Sequence, residues 1–119
     1  MTKHAPPFDL EDRTPRFGAQ VIRFCKSISV NPVTTELIGQ LVRAATSVGA
    51  NYAEADDCGS RKDFRFKIGL CRRESREAKH RLRMVAIAHE PARDAARVPW
   101  QEAKELNLIF GKIRRSLER

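Results

Sequence analysis

Glu77-Ala78-Lys79-His80 is the one Glu-x-x-His step in this 119-residue chain. Helical bundles hold paired iron or manganese ions with that spacing, but they need it on two helices and a further carboxylate from each of the other two. Here it occurs once, and at about 100° per residue both side chains project well away from the apolar stripe of their helix. Glu54, Asp56 and Asp57 cluster at the end of another helix, where a solvated terminus is the simpler account than a divalent cation. His4, His80 and His89 are scattered. Cys25, Cys58 and Cys71 contain no Cys-x-x-Cys step. Cys71 falls on a helical core stripe and Cys25 at the edge of one, the placing of packed, reduced thiols rather than zinc ligands. The chain also lacks a zinc-protease motif, a glycine-rich phosphate loop and a Ser/His/Asp arrangement. The expectation is a protein that is not an enzyme and uses no metal or cofactor.

Charge is the more informative chemistry. From Arg61 to Arg83 ten basic residues stand against three acidic ones, a surplus of seven in a chain whose net charge is +8 and whose pI is about 10.0. On a helical wheel Arg61, Lys62, Arg65, Arg72, Arg73, Arg76, Lys79 and Arg83 share one arc with little acid in it. Such an arc either wears charge for solubility or meets a polyanion. Few aromatic residues interleave with it, which favours sequence-tolerant contact with the phosphates of RNA or DNA over base stacking. The alternative is a scaffold whose charged surface binds an acidic protein partner only. The N-terminus has no apolar signal core, and no apolar run approaches the roughly 18 residues of a membrane span. A cytoplasmic protein without a membrane partner is expected.

The elements that position this arc follow from periodicity. Residues 1–13 read as a flexible N-terminal arm and 14–119 as one helical domain. Thr14-Pro15 reads as a helix start, with Phe17, Val21, Phe24 and Ile28 on the buried face and an end before Asn31-Pro32. A second helix starts near Thr34 or Thr35 and runs to about Asp57 on Leu37, Leu41, Ala44, Ala45, Val48, Tyr52 and Ala55. Gly59-Ser60 breaks it, and Ser60 caps a third helix carried by Phe64, Ile68, Cys71, Ser75, Ala78, Leu82 and Val85. Glu90-Pro91 ends that helix, residues 91–99 connect, and a fourth follows on Ala103, Leu106, Phe110, Ile113 and Leu117. No segment alternates with period two. The fold class is all-α, an up-down-up-down four-helix bundle.

Two further faces stand out. Phe66 and Leu70 point away from the stripe of the third helix among complementary charges, and the second helix has a small flank containing Gly39, Gly49 and Ala53. Together these predict an oligomer interface. Beside the core stripe of the second helix runs a polar ladder that includes Arg43, Ser47, Asn51 and Glu54. With Glu74 and Glu77 of the third helix it is expected to form a partly buried network that fixes helix or subunit register.

The stretch RAATSVGANYAEA, then SRKDF, then the Glu74 and Glu77 pair, resembles the four-helix-bundle family known from 23S ribosomal RNA intervening sequences. The likeness covers roughly Leu41 to Leu82, and the outer helices agree in pattern only. The family pattern maps onto Arg43, Ala44, Ala45, Ser47, Asn51, Glu54, Phe64, Lys67, Glu74, Glu77 and Leu82, which adds Lys67 to the polar network. Many relatives have an aromatic residue where this chain has Arg81. The resemblance implies a small cytosolic bacterial protein assembled as a ring-like homopentamer. Relatives include accessory proteins of diversity-generating retroelements, which implies nucleic acid and a reverse transcriptase as partners.

Overall fold

The computed structural model describes residues 8–118, and four α-helices account for most of them. They are α1 (Leu10–Cys25), α2 (Pro32–Asp56), α3 (Arg61–Ala88) and α4 (Arg97–Ser116), with one 3-10 turn, Glu90–Ala92, between α3 and α4. Consecutive helices pack side by side, α1 on α2, α2 on α3 and α3 on α4, while α1 meets α4 only lightly. The result is an all-helical four-helix bundle measuring 45 × 24 × 21 Å.

Local chemistry explains where the helices begin. Asn31 caps α2: its Oδ1 accepts from the Val33 and Thr34 amides at 2.9 and 3.0 Å, and Thr34 Oγ1 accepts from the Asn31 amide at 2.9 Å. This reciprocal box satisfies donors that a helix start otherwise leaves orphaned, and it moves the start of α2 back to Pro32. Ser60 Oγ accepts from the Asp63 amide at 3.0 Å and opens α3 where the sequence places it.

Other boundaries also differ from the sequence reading. The flexible arm assigned to residues 1–13 is too long, because α1 begins at Leu10; residues 1–7 lie outside the described part of the chain. Leu10 is fully buried and extends the stripe of Phe17 and Val21 about two turns further back. Thr14 is no cap: its buried hydroxyl donates to the Leu10 carbonyl at 2.8 Å, and Pro15 sits inside the helix. At the other end α4 starts at Arg97, so Pro99 belongs to its first turn, where a missing N–H costs nothing.

The core draws on all four helices, and all seven residues expected on the α3 stripe are buried. Ile113 of α4 and Leu117 just beyond it, like Leu37 of α2, are only partly buried. Tyr52 and Phe110 cross the centre with ring centroids 6.2 Å apart. The buried Ser75 hydroxyl donates to the Arg72 carbonyl at 3.0 Å. Among the described residues no helix is long and apolar enough to cross a membrane.

Candidate nucleic-acid interface

The arc of α3 does not act alone, because the C-terminal end of α4 lies beside the N-terminal end of α3. Arg61 donates to the Leu117 carbonyl at 3.3 Å, and Arg65 pairs with Glu118 at 3.4 Å. Between the two helices runs a cleft of about 510 Å³ lined by Lys62, Arg65, Phe66, Gly69, Leu70, Arg72, Arg73 and Arg114. Five of these eight residues are cations and none is a carboxylate. Glu118 approaches Arg65 and, at 4.0 Å, Arg114, while Glu74 approaches Arg73 at 3.4 Å. Lys62 and Arg72 have no ion pair among the described residues. The Arg65 Nε is buried without a hydrogen-bond partner.

The remaining expected phosphate ligands disperse. Arg76 is exposed on the α3 surface outside the cleft. Lys79 lies over the Trp100 ring, 5.8 Å from its centroid, with Lys104 at 5.6 Å. Arg83 faces a smaller hollow towards the other end of the bundle, with Ala86, Arg93 and Trp100. The structure therefore brings Lys62, Arg65, Arg72 and Arg73 together and adds Arg114, which analysis of α3 by itself could not find. The signal was present: Arg114-Arg115 closes α4, and an antiparallel neighbour sets that end against the start of α3.

A larger groove, about 730 Å³, separates α1 from α4. Its lining mixes both signs, with Glu102 and Glu105 among four arginines. Arg13 donates from Nε to Glu102 at 2.6 Å, and from its terminal nitrogen to Glu102 and Glu105, each at 2.8 Å. Hydrogen bonding to Glu102 raises the Arg13 pKa further, and bonds from Gln101 and Arg13 lower that of Glu105. Arg16 meets Asp9 at 3.6 Å and Arg97 meets Asp94 at 3.8 Å. For a polyanion the smaller cleft, whose lining contains no acid, is the better receptor.

The polar ladder of α2 does not close into one network within the chain. Ser47 donates to the Arg43 carbonyl at 2.7 Å and Asn51 to the Ser47 carbonyl at 2.9 Å, so both bond back onto their own helix. Short polar side chains in a helix commonly do this. Lys67 pairs with Glu54 across α2 and α3, and that contact raises the Lys67 pKa. Arg43, Ser47, Glu74 and Glu77 share a shallow depression of about 360 Å³, but Glu77 pairs with Arg81 at 3.3 Å and Arg43 is exposed.

The expected interface residues also divide. Phe66 is 63% exposed and Leu70 partly so, both in the cationic cleft. Gly49 faces α1 of its own chain, where a β-carbon would stand 3.5 Å from the Pro15 nitrogen, whereas Gly39 and Ala53 are exposed. Glu77 and His80 face solvent, away from the bundle axis. Cys25 and Cys71 are buried thiols, pushed by desolvation up to about 11 and about 12.

No family model matches the chain, and no curated protein matches it. Among solved structures it is similar to a protein of unknown function from the S23 ribosomal protein family of Bacteroides thetaiotaomicron. That likeness has a TM-score of 0.75 at 22% sequence identity, and covers 88% of this chain and 97% of the other. The two chains share a fold.

Proposed function

We propose that this chain is a non-enzymatic, nucleic-acid-binding helical bundle whose α3/α4 cleft holds the phosphates of RNA or DNA without strong sequence preference. The observation that carries the reading is the lining of the cleft: Lys62, Arg65, Arg72, Arg73 and Arg114 converge with no carboxylate among them. Guanidinium groups pair with phosphate oxygens through two parallel hydrogen bonds, and four of the five cations are arginines. The sequence resemblance and the S23-family neighbour support placing the chain among the 23S-intervening-sequence bundles. A ring-like homopentamer then repeats the cleft around its rim and multiplies a weak contact through avidity.

A second reading draws on the carboxylates already beside the cleft. Glu118 against Arg65 and Glu74 against Arg73 occupy places that an acidic protein partner could take instead. A mobility-shift assay at low salt with random-sequence RNA and DNA separates the two. Retardation that Arg72→Glu with Arg73→Glu abolishes supports the first reading. An unshifted probe makes the scaffold reading the better one.

A further inference from the structure

Lys62, Phe66, Gly69 and Arg73 follow one another along α3 at steps of four, three and four, so they share one face of the helix. The arc drawn from sequence places Phe66 on another flank; in the fold it lines the same cleft as the five cations. Its ring is 63% exposed, while Phe64, two residues earlier, is buried in the core. Three residues on, Gly69 contributes no side chain, and Arg114 of α4 lies across it, its Nε 3.4 Å from where a β-carbon would stand. Leu70 adds an apolar wall.

From this juxtaposition we infer that the cleft is a single-strand site, in which Phe66 stacks on an unpaired base while Lys62, Arg65, Arg72, Arg73 and Arg114 hold the flanking phosphates. The inference rests on the nucleic-acid reading above and narrows it. Duplexes keep the faces of their bases inside the stack, so an exposed aromatic ring among cations has a partner only where bases are splayed out. A second copy of this chain, meeting the face through the head-to-tail contact of a ring, is the competing occupant, and the mass measurement below distinguishes it.

The test uses the full chain and fluorescence anisotropy with three labelled probes of equal length: a single-stranded DNA, its duplex, and a strand of abasic sites that keeps the phosphates. Phe66→Ala is expected to weaken single-strand binding by about tenfold, within the roughly 5–150-fold that one base–aromatic stack is worth. It should leave duplex and abasic binding unchanged, and Phe66→Tyr should restore single-strand affinity. Equal loss on all three probes, or no loss on any, would overturn the stacking role while leaving phosphate binding in place. A fall in assembly mass by light scattering in Phe66→Ala would assign the ring to a subunit interface instead. Failure of the wild-type protein to bind any probe would remove both this inference and the reading beneath it.

Discussion

Arg114 of α4 lies across Gly69 of α3, its Nε 3.4 Å from the point where a β-carbon on Gly69 would stand. The arrangement recurs in reverse one turn away. A β-carbon on Gly111 of α4 would stand 3.5 Å from Nε of Arg72 and 3.3 Å from a terminal nitrogen of Arg115. Each helix thus presents a glycine where the other lays an arginine. Glycine inside a helix costs about 1 kcal/mol relative to alanine, and at these two positions the cost is matched by room for guanidinium groups beside the cleft.

Gly69→Glu should therefore separate stability from binding. The new carboxylate projects among Arg114, Arg65 and Arg73 and answers the charge a polyanion would meet, while the helix gains a better former. The expected outcome is an unchanged or slightly raised Tm together with at least tenfold weaker oligonucleotide binding. Calorimetry and anisotropy on one preparation check both, and intact binding with the glutamate present would place the site elsewhere.

Arg13 is the strap between α1 and α4. Its side chain and that of Glu102 are 21% and 23% exposed, so the pair lies between an exposed bridge, worth about 0–1 kcal/mol, and a buried one, whose breaking costs about 3–5 kcal/mol. Arg13→Ala should lower unfolding free energy by an intermediate amount, on the order of 2 kcal/mol, without affecting nucleic-acid binding. Urea titration reads the first effect. A loss below about 0.5 kcal/mol would mean that the strap is dispensable.

Alkaline pH should weaken the fold through its buried thiols. Cys25 and Cys71 titrate at about 11 and about 12 in the folded chain against 9.0 as the reference value. Below pH 9 both states carry neutral thiols and the contribution is intact. As pH rises from 9 towards 12 the unfolded chain ionises first, so stability falls across that window. The urea midpoint should decline there, and Cys71→Ala should flatten the decline whatever it does to the starting value. At pH 8, alkylation should reach the partly exposed Cys58 well before the other two.

Removing the Asn31 cap tests why α2 begins where it does. Asn31→Ala deletes an acceptor for two backbone donors and should cost about 0.5–2 kcal/mol. Asn31→Asp, which keeps the acceptor, should cost much less. Thermal denaturation of the two variants side by side is sufficient.

Periodicity carried most of the fold. The α3 stripe from Phe64 to Val85 is legible because its apolar residues recur at helical steps over six turns, and burial follows the same pattern. The α1 start misled because Thr14-Pro15 has the chemistry of a cap, yet burial of Leu10 recruits another turn ahead of it. For the site, α3 gave four of the cleft cations by its own wheel. Arg114, the two glycines and the position of Phe66 depend on how α4 lies against α3, which the wheel of a single helix cannot express. Within one chain the α2 ladder does not close, because Ser47 and Asn51 donate to carbonyls of their own helix.

The most direct test of the cleft is the salt dependence of single-strand binding. Each phosphate neutralised on a single strand contributes roughly 0.7 to the slope of log K against log salt. Replacing Arg72 and Arg114 by Gln should lower that slope by roughly 0.7 for each cation removed, with affinity falling at every salt concentration. Replacing Arg93 and Arg97, at the other end of the bundle, should change neither slope nor affinity. A slope that stays at its wild-type value in the Arg72→Gln, Arg114→Gln protein, or one that falls equally in the distant pair, would contradict the assignment of phosphate binding to the α3/α4 cleft.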